Sequence, residues 1–248
     1  MQKGFKYIAG LSILFLFFAD HTLAKEDVGN RIYASLLKKH VTKKHVNYDG
    51  FKKDEKLLDE YLAILSHTDA KSLSKNNRFA FYINAYNAFT IKLVLTKYPD
   101  INSIKEIGGF FSNPWNKKFI LLQKKTVSLD YIEHKIIRPK FKDPRVHFAI
   151  NCASKSCPPL RDEPYKGETL ENQLNDQTRE FINDKKNNFI KGDTLFVSKI
   201  FKWFEADFSD NSLMFIKRYA SKELKEKLNS AGNNMKIAYL YYDWSLNR

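Results

Sequence analysis

The sequence predicts an α+β fold, because helices and strands follow one another without the regular βαβ alternation of a parallel sheet. Three observations carry that expectation. Phe79 to Leu95 (FAFYINAYNAFTIKLVL) is apolar nearly all round, as befits a helix in the middle of a domain. Several other stretches place apolar residues at helical spacing on one side only. Short β-type runs meet at turns, one of them at Gly192-Asp193. The expected architecture is a single globular domain, its central apolar helix packed on a small, mostly antiparallel sheet.

Taken in order, residues 1–24 read as a secretory signal. Lys3 and Lys6 precede an apolar run from Tyr7 to Ala19, and Thr22-Leu23-Ala24 offers a cleavage site. The alternative is an uncleaved anchor, although the run is short for a membrane span. Residues 25–248 then form one domain, and export is the expectation, to a periplasmic or extracellular place. Arg31 to Val41 and Lys53 to Ser66 are amphipathic packing helices. After the central helix and the Gly108-Gly109 break, a hairpin is expected around Lys124-Lys125. Ser128 then caps a helix closed by Pro139. Arg145 to Asn151 reads as a strand, Thr169 to Lys185 as a helix, and Phe189 to Val197 as a hairpin. Helices near 212–220 and 222–228 and a strand from Ile237 to Tyr241 complete the chain.

The net charge is +14, or +13 once residues 1–24 are set aside. Such a surplus attracts anionic partners, of which a lipid surface or an envelope polysaccharide are candidates. Nucleic acid is not expected: Lys outnumbers Arg 34 to 8, scattered along the chain, and no basic helix carries base-reading spacing. Oligomeric state is not legible in the sequence.

The chemistry concentrates in His147-Phe148-Ala149-Ile150-Asn151-Cys152-Ala153. Polar groups inside an apolar run need partners, or cost about 1–3 kcal/mol each, so this stretch is a polar network or an active site. Cys152 could attack a carbonyl as a thiolate. It could equally pair with Cys157 as a disulfide, as exported cysteines tend to, or be inert. Two cysteines without regularly spaced histidines do not make a zinc site, and no cofactor motif appears.

His147 is the natural general base, or else a satisfied core histidine. On a straight strand it would stand about 16 Å from Cys152 and on the opposite face, so a sharp bend near Asn151 is required. Glu133 falls on the buried stripe with Leu129, Ile132 and Ile136. There it would orient His147 or form an ion pair with Arg145 or Arg161. His134 points away, as a surface histidine would. Asn84 and Asn87 share one face of the central helix; with Asn151 they either tie neighbouring backbone or line a site. Arg161 is a candidate for holding a substrate carboxylate, and Asp243-Trp244 looks like a structural anchor.

These pieces resemble the bacterial and plant family known as domain of unknown function 547. The resemblance rests on Phe81-Tyr82-Ile83-Asn84-Ala85-Tyr86-Asn87-Ala88, Ser128 to His134, Asp143 to Ser154, Cys157-Pro158-Pro159-Leu160-Arg161 and Tyr242 to Asn247. It spans about residues 46–247. It implies an exported protein and a similarity to thiol hydrolases of the papain or transglutaminase type. That would make Cys152 nucleophile, His147 base and Glu133 orienter, with Asn84, Asn87, Asn151 and Arg161 in binding roles. Papain-type enzymes carry the cysteine at the start of the central helix with the histidine later in the chain. Here that helix offers asparagines and the histidine comes first, so a rearranged topology would be needed. The expected function is an exported thiol-dependent hydrolase or acyl-transferase acting on amide bonds of a peptide or envelope substrate. The alternatives are a non-catalytic envelope protein, or a binding module for an anionic ligand.

Overall fold

The computed structural model describes residues 29–42, 45–108, 113–209, 211–230 and 235–248; the expected signal at 1–24 and Gly109 lie outside them. Helix α1 (29–40) leads into α2 (Tyr48–Lys53), α3 (Glu55–His67) and the central helix α4 (Lys75–Leu95). Helix α4 starts four residues before the expected position because Ser74 caps it, its hydroxyl accepting from the Asn77 N–H. From Phe79 onward nearly every α4 side chain is buried, Lys92 being the exception. Its principal neighbours are α2, α3 and the segment Ile132–Ile137, and the apolar cluster around it takes in Ile120, Leu122 and Val127. Among the described residues no helix is long and apolar enough to cross a membrane.

The mixed architecture is as expected: an antiparallel hairpin and a three-stranded sheet. In the hairpin, β1 (Ile120–Leu122) pairs with β2 (Lys125–Val127). Its turn falls at Gln123-Lys124, one residue before the expected place, with φ of 50° and 64°. This register buries Ile120, Leu122 and Val127 together, and a one-residue slip would turn a whole strand over. In the larger sheet, β3 (Asn188–Lys191) and β4 (Thr194–Val197) form the expected hairpin across Gly192, whose φ of 61° suits a residue without a side chain. Strand β5 (Lys236–Tyr239) then joins β4 in parallel.

Two readings around the reactive stretch are corrected. Residues 145–151 do not form a strand: Val146–Ala149 is a single helical turn, α7, following α5 (Leu129–Tyr131) and α6 (Arg138–Phe141). The cause is local. The Asp143 carboxylate accepts from the Arg145 N–H, and Pro144 fixes one φ of the turn that leads into Val146. The helix begun at Ser128 does not stop at Pro139 either. It widens into a π-helical stretch, Ile132–Ile137, and runs on as α6. Wider winding moves side chains off the 100° wheel, so His134 turns toward the protein instead of away from it.

The core divides into two adjoining apolar clusters. One surrounds α4; the other is aromatic, with Phe181 from α8 (Leu170–Asn183), Phe201 from α9 (Ile200–Trp203) and Phe215 from α10 (Ser212–Tyr219), and reaches Leu228 of α11 (Lys222–Ser230). Helix α7 belongs to both: Val146 and Ala149 pack into the first, Phe148 into the second. A cleft opens where the two clusters meet.

Candidate active site

The cleft encloses about 510 Å³, and its lining includes Cys152, His147 and Glu133 together. Residues read from a helix, a presumed strand and a loop thus converge. The bend needed near Asn151 is supplied by α7 ending at Ala149, with Ile150 extended after it.

Cys152 is half-buried and Cys157 buried; both are free thiols, with their sulfurs 2.8 Å apart. Ser154 Oγ lies 3.1 Å and the Tyr242 hydroxyl 3.3 Å from the Cys152 sulfur. Burial alone would push this thiol up. Hydrogen bonds from Cys157, Ser154 and Tyr242 to the anionic sulfur outweigh it and bring the thiol down to about 7. Burial, and donation of its proton toward Cys152, push the Cys157 thiol well up. The Cys152 sulfur is therefore the more acidic of the two, and Cys157 keeps its proton.

His147 is buried and its Nε2 lies 2.7 Å from Asp207 Oδ2. Its ring stacks on Phe204 at 3.8 Å between centroids. Asp207 also accepts from Arg138 Nε and Nη2, at 2.5 and 2.9 Å, and Arg138 Nη1 donates to His134 Nδ1 at 2.7 Å. The donors on His147 and Arg138 hold the Asp207 carboxyl well below the usual range. Burial lowers the affinity of His147 for a proton despite Asp207, which keeps the ring neutral near pH 7. The carboxylate partner of His147 is thus Asp207 rather than Glu133. Among the described residues the side-chain partners of the Cys152 sulfur are Cys157, Ser154 and Tyr242, with no imidazole in the set.

Glu133 instead accepts from the Tyr86 hydroxyl; burial pushes its carboxyl up to about 7, although Tyr86 and Arg138 pull the other way. No ion pair reaches it from Arg145, which is held by Asp143 and Glu171, or from Arg161, which is held by Glu163. Arg161 does not line this cleft.

The asparagines behind the cleft are occupied with backbone. Asn84 Nδ2 donates to Tyr165 O and its Oδ1 accepts from Tyr165 N–H. Asn87 makes the same two-ended clamp on Ala149 O and Asn151 N–H. Asn151 donates to Pro158 O and accepts from Ala153 N–H and from Asn247 Nδ2. Asn87 and Asn151 fasten the loop that carries both cysteines, and Asn84 fastens Tyr165 beyond it.

Sequence reasoning missed Asp207 and the aromatic wall. All three tryptophans, Trp115, Trp203 and Trp244, line the cleft. Trp203 packs on Trp244 at 5.7 Å and on Tyr242 at 4.8 Å, and the Lys105 ammonium sits 3.9 Å above Trp244. The signal available was the count itself, three Trp in a chain with a suspected site; Asp207, between Ala206 and Phe208, gave none. Asp243 is an anchor as expected, its carboxylate accepting from Ser245 N–H and Oγ, whereas Trp244 is wall.

No curated protein and no solved structure matches this chain. A family model does, over residues 70–182, a span that contains Glu133, His147 and both cysteines but neither Asp207 nor Tyr242. The resemblance seen in the motifs is thus matched by a family model: over this segment the chain is similar to the family described as protein of unknown function, DUF547.

Proposed function

We propose that the protein is an exported thiol-dependent hydrolase or acyl-transferase acting on amide bonds of a peptide or envelope substrate. The carrying observation is the Cys152 sulfur, open to the cleft and hydrogen-bonded so that the thiolate is populated near pH 7. Export is supported by the basic start and apolar run of residues 1–24. The thiolate would form a C–S bond to the substrate carbonyl carbon while the π pair moves to oxygen. Collapse of that adduct expels the amine, which needs a proton. Glu133, which lines the same cleft, gives it in this reading, since a carboxyl at about 7 is about half protonated near that pH. Water or an acceptor amine then attacks the thioester, loses its proton to the Glu133 carboxylate, and restores the Cys152 thiolate. His147, fixed by Asp207 and Phe204, serves in this reading as a positioning residue of the wall.

Acyl trapping tests the proposal. Incubation with N-acyl amides and thioesters should leave one acyl group on the chain by intact mass, absent in Cys152→Ala. Alkylation of Cys152 by iodoacetamide should rise with pH about a midpoint near 7. A chain whose Cys152 alkylates in this way but takes no acyl group from any donor would overturn the reading.

A further inference from the structure

The second cysteine forms and breaks no bond in acyl transfer beyond its hydrogen bond to the Cys152 sulfur, 2.8 Å away. We propose that Cys152 and Cys157 form a two-electron dithiol–disulfide couple that exchanges with disulfides entering the same cleft, an activity that shares Cys152 with the acyl chemistry but does not depend on it.

Three features support this. The sulfurs are 2.8 Å apart as free thiols, whereas a disulfide is about 2.05 Å long, so the bond forms with less than an ångström of closure. The loop is already shaped for it. Asn151 bridges Pro158 O and Ala153 N–H across the loop, and Ala153, between the cysteines, is held at a φ of 61° that a non-glycine residue rarely adopts. Lys155 and Ser156 donate backbone N–H groups to Ser245 O and Asp243 O, so neither end is loose. Lastly, the two cysteines both line the cleft but are unequal: Cys152 is half-buried, with Ser154 and Tyr242 to stabilise its anion, while Cys157 is buried. A more accessible attacking sulfur with a buried resolving sulfur is the asymmetry that exchange requires.

The steps balance. The Cys152 thiolate attacks one sulfur of a disulfide R–S–S–R′, forming a mixed disulfide and expelling R′S⁻. The Cys157 thiol passes its proton to R′S⁻ and attacks the Cys152 sulfur, breaking the mixed disulfide and releasing RS⁻. The couple has lost two electrons and the substrate disulfide has gained them. In reverse, the oxidised pair accepts electrons from two substrate thiols. Stabilisation of the Cys152 anion favours the reduced pair and hence that oxidising direction.

The test uses the reduced full chain, glutathione disulfide as probe, acid quenching, alkylation and intact mass. The wild type should lose both alkylatable thiols together, with glutathione found only transiently on the protein. Cys157→Ser should stall as a glutathione adduct on Cys152, accumulating about tenfold or more over wild type, because the intramolecular resolving thiol is gone. Cys157→Ala should stall in the same way. Cys152→Ser should form neither the adduct nor the internal disulfide. A lasting glutathione adduct on the wild type, with Cys157 still alkylatable, would overturn the proposal, as would a chain in which neither thiol reacts. Failure of the acyl reading is distinguishable: acyl trapping is scored on the reduced wild type, a separate measurement whose result does not enter the outcome with glutathione.

Discussion

Two sets of buried polar side chains lie a few residues apart in this protein and behave in opposite ways. Behind the cysteine loop, Asn84, Asn87 and Asn151 each donate and accept, mostly to backbone. In front of it, Glu133 and Cys152 are shifted to about 7, poised between two protonation states. Burial is common to both sets, so it does not mark a site. What separates them is whether the partners complete a group's bonding or leave it a proton to gain or lose.

Removing a clamp should give the largest effect on stability. Asn87→Ala leaves Ala149 O and Asn151 N–H unpaired in the core, at about 1–3 kcal/mol each, so a loss of about 2–6 kcal/mol is expected in urea unfolding. A loss under about 0.5 kcal/mol would mean that these backbone groups find other partners.

Glu133→Gln should do the opposite. The folded-state carboxyl is raised from 4.5 to about 7, so the folded protein binds the proton more tightly than the unfolded chain. The stability this contributes is fully present below pH 4.5 and is lost as pH rises through 7. At pH 8 the wild type therefore carries a penalty of up to about 3 kcal/mol that the glutamine lacks. Denaturation at pH 4 and pH 8 measures it, and a difference between wild type and variant that did not change with pH would contradict the shift. The smallest effect belongs to Arg161→Ala. Its ion pair with the half-exposed Glu163 lies outside the cleft, so about 1 kcal/mol or less is expected, with acyl trapping unchanged.

The sequence disclosed the elements and part of the site for identifiable reasons. Helices α3, α4 and α8 and the β3–β4 hairpin were legible because periodicity and turn chemistry are local. Helix α7 was misread as a strand because four apolar-looking residues fit either period, although Asp143-Pro144 was a helix-start signal in plain view. Cys152, His147 and Glu133 were legible as polar residues in apolar surroundings. Asp207 was not, since its pairing with His147 spans 60 residues and no local pattern encodes it. The displacement of His134 follows from the π-helical winding, which no hydrophobic pattern announced.

The Tyr242 hydroxyl, 90 residues downstream of Cys152, carries a consequence for biosynthesis. The sulfur leaves the ribosome long before the phenol that tempers it, and Trp244 follows later still. Until those residues arrive, the thiol lacks part of the hydrogen bonding that makes it acidic. A nascent chain therefore travels with a comparatively sluggish sulfur, which reaches full reactivity only after the downstream segment has folded back over it.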